Sequence, residues 1–188
     1  MRVVAGLAGG IPLQIPKHDL RPTMDKVKGA IFSSLGEVVV GARVLDLFAG
    51  SGGLGIEAMS RGAAQLTMVE SNAKALEAIS ANLRKTRMEG TVCREDVFHF
   101  LKRNTAMFDL IFADPPYAKT AGAVDYCDQL WHSQELARAL APDGFFILER
   151  APGADVPATS FFQLVRQKRY GASEVLLLRL AGSLDEET

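Results

Sequence analysis

Cysteine is scarce in this chain. Cys93 and Cys127 are the only two, and their separation offers neither a disulfide framework nor a zinc spacing. Histidine is as thin: His18, His99 and His132 are scattered, and no His/Cys/carboxylate cluster has metal-ligand spacing, so no metal is expected. No uninterrupted apolar run approaches the roughly 18 residues of a membrane span, and the first residues lack the apolar core and cleavage site of a signal peptide. A cytoplasmic protein is expected. Net charge is −1, so the molecule as a whole has no field that would draw in a polyanion. Internal repeats and low-complexity stretches are missing too. The 188 residues suit one domain, expected over 1–182, with a solvated, disordered tail at 183–188 carrying Asp185, Glu186 and Glu187.

What is present is an alternation of apolar runs and helical patterns. Strands are expected near 43–48, 65–69, 90–93, 108–113 and 145–149, and helices near 53–61, 72–86, 96–103 and 122–140. Pro142-Asp143-Gly144 reads as a turn into the fifth strand. The runs 44–48, 108–113 and 145–148 are almost wholly apolar, the mark of parallel strands covered on both faces. After residue 150 the rhythm changes. Phe162–Tyr170 and Glu174–Leu180 read as two strands turning at Gly171, with no helix between them. The expected fold is α/β: a Rossmann-like, doubly wound sheet of seven strands, mostly parallel, with an antiparallel C-terminal edge hairpin. A short hairpin over 2–15 around Gly9-Gly10 and a helix from Thr23 through Leu35 precede it, with Val27, Ile31 and Leu35 on one helix face.

Chemistry-bearing residues gather at the predicted strand ends. The first strand runs into Gly50-Ser51-Gly52-Gly53-Leu54-Gly55, whose glycines fit G-x-G-x-x-G and let a ligand approach the backbone. No Gly-Lys-Ser/Thr follows, which excludes a P-loop. Asp46 stands just before that turn, where it would repel a pyrophosphate and suit a cation. S-adenosylmethionine carries two positive centres, a sulfonium and an α-ammonium. Glu70 ends the second strand, where it could accept from ribose hydroxyls or simply favour the dipole of the next helix. Asp96 follows the third strand and could accept from an adenine amine or cap the helix 97–103. After the fourth strand comes Asp114-Pro115-Pro116-Tyr117: a carboxylate acceptor, two residues without an N–H, and a flat ring on which a base can stack. Four acidic groups at neighbouring strand ends define one rim, where ligands bind in such sheets.

Asp46-Leu47-Phe48-Ala49-Gly50-Ser51-Gly52 together with Asp114-Pro115-Pro116-Tyr117 resembles the S-adenosylmethionine-dependent amino-methyltransferases of nucleic acids. Arg21-Pro22-Thr23-Met24-Asp25-Lys26-Val27-Lys28-Gly29-Ala30-Ile31-Phe32 narrows the likeness. That segment is similar to a signature of the bacterial 16S ribosomal RNA guanine-N2 methyltransferases, of the small-subunit methyltransferase D type. Leu54–Ala58, Ser60–Ala63 and the late Tyr170-Gly171 extend the likeness to about residues 2–180. The resemblance implies methylation of one guanine N2 amine in 16S rRNA, in an assembled or partly assembled 30S subunit, by a monomer. It implies Asp114, Pro115 and Tyr117 as catalytic residues. Asp46, Phe48, Gly50, Gly52, Glu70, Asp96 and Asp114 would hold S-adenosylmethionine. Arg21, Thr23, Lys26 and Lys28, in a segment 1–36 with five basic side chains against two acidic, would meet RNA. The first hairpin departs from the family in reading Gly6-Leu7-Ala8-Gly9-Gly10, without basic residues. Three other readings stay open from the residues. One is an adenine-N6 or cytosine-N4 methyltransferase of DNA or RNA. Another is an NAD-dependent oxidoreductase, against which Asp46 and the lack of a catalytic Tyr/Lys or His arrangement count. The third is a non-catalytic RNA-binding module.

Overall fold

The apolar runs form the middle of one sheet. In the computed structural model, which describes residues 1–16, 24–116, 125–153 and 161–182, seven strands lie in the order β3-β2-β1-β4-β5-β7-β6. They are β1 (Arg43–Leu47), β2 (Gln65–Glu70), β3 (Thr91–Arg94), β4 (Phe108–Ala113), β5 (Leu140–Arg150), β6 (Phe162–Tyr170) and β7 (Ser173–Leu180). The pairs from β3 through β5 are parallel, and β7 runs antiparallel to both β5 and β6. The expected sheet and its antiparallel edge hairpin are both present.

Helices cover each face, which is why β1 and β4 can be apolar on both sides. α1 (Met24–Leu35), α2 (Gly53–Ser60) and α3 (Ala73–Thr86) lie on one face, where Ile31, Phe32, Ala58 and Ile79 meet Val44, Met68, Leu110, Phe112 and Ile147. α4 (Val97–Arg103), α5 (Tyr126–Trp131) and α6 (Gln134–Ala139) cover the other, where Phe100, Trp131 and Leu136 meet Leu45, Leu47, Ile111, Phe146 and Leu148.

Three elements differ from the sequence reading. The helix expected over 122–140 is two short helices, because Ser133 leaves the helical conformation and its side chain accepts from the Leu136 amide to cap α6. Pro142-Asp143-Gly144 is not a separate turn. It lies within β5, which pairs with β4 through a register shift between Phe108 and Leu110. The hairpin over 2–15 is present, but it is short and forms no extended strands. It closes through Val3 N–H to the Ile11 carbonyl (2.9 Å) and Leu13 N–H to the Met1 carbonyl (3.0 Å), with one isolated bridge, Arg2 to Pro12.

Side chains of the sheet domain take the amides left over. The Glu57 carboxylate accepts from Val4 (2.7 Å) and Ala5 (3.1 Å), and Ser60 Oγ accepts from Ala8 (2.9 Å). Val3, Ala8 and Leu13 bury against Ile56 of α2. Gly6 makes the close approach possible: it has φ +81°, and a Cβ there would stand 1.8 Å from the Ser60 carbonyl oxygen.

Candidate active site

The chain leaves β1 towards β2 on one side and leaves β4 towards β5 on the other, so a crevice opens at the carboxyl ends of the adjacent β1 and β4. The turn after β1 lines it. Phe48 (φ 55°), Gly50 (φ 56°) and Gly52 (φ 78°) all take left-handed backbone, which folds the chain back so that α2 starts at Gly53. Gly55 is needed for a second reason. A Cβ there would lie 2.6 Å from Leu66 Cδ1 and 3.1 Å from Asp46 Oδ2.

Asp46 is 2% exposed, and its Oδ2 accepts from the Gly55 amide at 2.8 Å. Burial pushes its carboxyl up to about 8. The Gly55 hydrogen bond opposes the shift, and the charges of Asp114 and Glu70 add to it. Asp46, Glu70 and Asp114 therefore share one electrostatic neighbourhood at the crevice, as expected of the rim.

Glu70 has work within the fold as well. Its Oε2 accepts from the Gly50 amide (2.8 Å) and its Oε1 from the Asn72 amide (2.7 Å), stitching the glycine turn to the start of α3. Asn72 is that helix's own cap. Asp96 caps α4: one oxygen accepts from Phe98 (2.9 Å) and His99 (3.0 Å). Its other oxygen is not engaged in those bonds. At the end of β4, Asp114 is half-buried, Pro115 is buried and Pro116 is exposed. Tyr117 lies outside the described residues.

One expected RNA contact is corrected. Lys28 is 3% exposed, not outward-facing. Its Nζ lies 3.2 Å from Glu57 and donates to the Arg2 carbonyl at 2.6 Å. A cation so paired clamps α1 and the N-terminal loop to α2 and has no charge to offer a phosphate. Lys26 on the same helix is exposed, while Arg21 and Thr23 lie outside the described residues.

Sequence reasoning missed an aromatic wall and a polar strut. Phe48 packs at 5.5 Å between centroids from Tyr126, which stacks on Phe98 at 6.1 Å and 16°. These rings come from the ends of β1 and the starts of α4 and α5, so only topology brings them together. Asn82, fully buried in α3, accepts from the Gln14 amide (2.7 Å) and donates to the Gln14 and Ser51 carbonyls (both 2.9 Å). It ties the N-terminal loop to the glycine turn. A buried Asn on an amphipathic helix was the available signal.

A ligand must be compatible with this charge pattern. Among the described residues, no ion pair joins Asp46 or Glu70 to a lysine or arginine. Asp46 and Glu70, close together and in no ion pair with a lysine or arginine among the described residues, suit a ligand that brings its own positive charge. An adenosyl group joined to a sulfonium and an ammonium has that character.

Residues 1–179 match the family described as Conserved hypothetical protein 95. The chain belongs to this family. YlbH of Bacillus subtilis (strain 168), a candidate rRNA methyltransferase, is 34% identical over 97% of the chain and 100% of its own length. The Ribosomal RNA small subunit methyltransferase D of Escherichia coli (strain K12) is 35% identical over 63% of the chain and 61% of its own length. Among solved structures, yhhF from Escherichia coli, a candidate methyltransferase, superimposes with a TM-score of 0.77 at 29% identity, covering 96% of this chain and 97% of that one. SMU.776, a candidate methyltransferase complexed with S-adenosylhomocysteine, is 16% identical and shows the fold alone, with a TM-score of 0.67 over 86% of this chain and 50% of that one. The Rossmann-like methyltransferase architecture and the small-subunit methyltransferase D likeness are thereby shown.

Proposed function

We propose that this family member methylates the exocyclic N2 amine of one guanine in 16S rRNA of the small ribosomal subunit, in the cytoplasm, with S-adenosylmethionine as methyl donor. The observation that carries the reading is the placement of Asp114-Pro115 at the end of β4, beside β1 and within electrostatic reach of Asp46. The relatives named as small-subunit rRNA methyltransferases support the substrate class. The signature at 21–32 supports guanine N2.

When bound, S-adenosylmethionine supplies an electrophilic methyl on a sulfonium. Phe48, Gly50, Gly52, Asp46, Glu70 and Asp96 would hold it, the glycines by letting it approach the backbone and the carboxylates by accepting from its hydroxyl and amino groups. The Phe48/Phe98/Tyr126 wall gives its base an apolar flank.

An aromatic exocyclic amine is a poor nucleophile because its lone pair is delocalised into the ring. Asp114 and the Pro115 carbonyl would accept hydrogen bonds from its two N–H groups, which favours a tetrahedral nitrogen with a localised lone pair. Most of the acceleration then comes from positioning. The base must leave its stack at a cost of a few kcal/mol. Tyr117 stacking would return about 1–3 kcal/mol.

The test is methyl transfer from labelled donor to 30S particles that lack the modification, followed by nucleoside analysis. N2-methylguanosine is expected. Label on adenosine or cytidine would redirect the substrate assignment, and no transfer to 30S particles or 16S rRNA would overturn it. Asp114→Ala should lose at least a hundredfold in turnover while binding S-adenosylhomocysteine within a factor of three of wild type. Near wild-type turnover would remove Asp114 from its role.

A further inference from the structure

We propose that the edge strand β6 is a phosphate-binding shelf for the RNA strand that flanks the target base. This rests on the rRNA reading above and adds a docking surface on the opposite edge of the sheet from β3. β6 reads Phe162-Gln163-Leu164-Val165-Arg166-Gln167-Lys168-Arg169-Tyr170, with three cations and no carboxylate. Arg166, Gln167, Lys168 and Arg169 are all exposed. Arg150 and Glu174 beside them are buried and pair with each other at 2.9 Å, so that carboxylate does not neutralise the strand. Gln167 also donates to Glu174 (2.7 Å), and Arg169 donates to the Gly171 carbonyl.

Register places these cations at the rim end of the edge strand, Arg166 and Lys168 on the sheet face that α1 covers and Arg169 on the other, so the shelf is the strand's open edge. Ala113 of β4 pairs with Leu148 of β5, Leu148 with Leu176 of β7, and Leu176 with Gln167 of β6. One residue further along each strand, Asp114 is level with Glu149, Val175 and Lys168. Three strand spacings of about 4.8 Å put Lys168 about 14 Å from the Asp114 backbone across the sheet. The same end of β6 borders a groove beside α1 whose floor is apolar (Ile31, Ile147, Val175, Leu177) and whose β6 side carries Arg166, Lys168 and Tyr170, with the Lys168 ammonium 5.5 Å from the Tyr170 ring. A shift in pairing between Leu164 and Arg166 re-aims this half of the strand. Basic side chains on an edge can also serve only to block edge-to-edge pairing between copies. Their concentration at the catalytic end of the strand, with Phe162–Val165 uncharged, points to a polyanion instead.

The experiment compares wild type with the triple variant Arg166→Gln, Lys168→Gln, Arg169→Gln. Its readouts are methylation of 30S particles at several salt concentrations, anisotropy of a labelled single-stranded 16S rRNA fragment, and calorimetry with S-adenosylhomocysteine. The expected result is a KM for the particle at least tenfold higher with kcat within twofold. The log–log salt slope of fragment binding should be shallower by about 2, from three single-strand phosphate contacts. S-adenosylhomocysteine affinity should be unchanged. An Arg166→Lys, Arg169→Lys variant should retain the wild-type slope. An unchanged KM and slope would overturn the shelf while leaving the methyltransferase reading intact. Sedimentation showing new dimers with unchanged RNA binding would assign the charges to edge protection. If wild type methylates no ribosomal substrate, the rRNA reading fails, and the fragment-binding slope still decides whether β6 grips phosphates.

Discussion

Asp46 couples ligand binding to the proton. Its carboxyl is pushed up to about 8, whereas in an unfolded chain it titrates in the ordinary range near 4. Between those values the unfolded chain is ionised and the folded one is protonated. The group's contribution to stability is therefore fully present below about pH 4, declines as pH rises towards 8, and is flat above. Asp46→Asn keeps an acceptor for the Gly55 amide and removes this linkage. Its Tm relative to wild type should rise steadily from pH 4 to 8, and a constant difference would show that Asp46 is ionised in the fold. A cationic ligand beside Asp46 favours the ionised form, so binding S-adenosylmethionine near pH 7 should release protons, and more of them than binding S-adenosylhomocysteine, whose sulfur carries no charge. Calorimetry in two buffers of unlike ionisation enthalpy would detect the release.

Glu70 is a second residue-scale case, since it serves the fold and faces the crevice. Glu70→Gln retains one acceptor for the Gly50 and Asn72 amides and loses the charge. One charge-assisted hydrogen bond contributes about 1.5–3 kcal/mol. S-adenosylhomocysteine affinity should fall about 10- to 100-fold with Tm shifted little. Glu70→Ala should lose both affinity and Tm. Unchanged affinity in both variants would leave Glu70 as a structural brace.

Among elements, the strands were the most legible. Leu110–Ala113 and Phe146–Leu148 are apolar on both faces, as are Val44, Leu45 and Leu47 around Asp46, and short runs of that kind suit parallel strands covered on both sides. The acidic residues were legible by their places beside the strands: Asp46 lies one residue before the end of β1, Glu70 ends β2 and Asp114 follows β4. What escaped the sequence depended on partners far along the chain. Lys28 lies on the same helix turn as charged neighbours and reads as outward. Only the fold brings it to Glu57. The split between α5 and α6 hangs on one hydroxyl at Ser133. Ser133→Ala should cost about 1 kcal/mol through loss of that cap, read as a lower urea midpoint at constant slope.

At the scale of the whole molecule, Glu57 is the keystone between the N-terminal loop, α1 and α2. It is fully buried, pairs with Lys28 (3.2 Å) and Arg61 (2.8 Å), and accepts two loop amides. Glu57→Ala strands the buried Lys28 ammonium, and breaking a buried pair typically costs about 3–5 kcal/mol. Guanidinium unfolding should show that loss. Hydrogen exchange should show the amides of Val4, Ala5 and Ala8 opening first. If only global stability fell and those amides stayed protected, the loop would be held by Ser60, Asn82 and its apolar contacts with Ile56 without need of Glu57.

Those long-range ties also set an order in time. Val4 waits for Glu57, 53 residues later, and Gln14 waits for Asn82, 68 residues later. Synthesis proceeds at about 5–20 residues per second. The loop over residues 1–16 must therefore stay undocked for several seconds after it is made, until α2 and then α3 have followed. Closing loops of that length comes late in folding. The loop is thus synthesised well before the helices that fix it. A translational pause between residues 16 and 82 would lengthen its exposure to proteases without altering the finished fold.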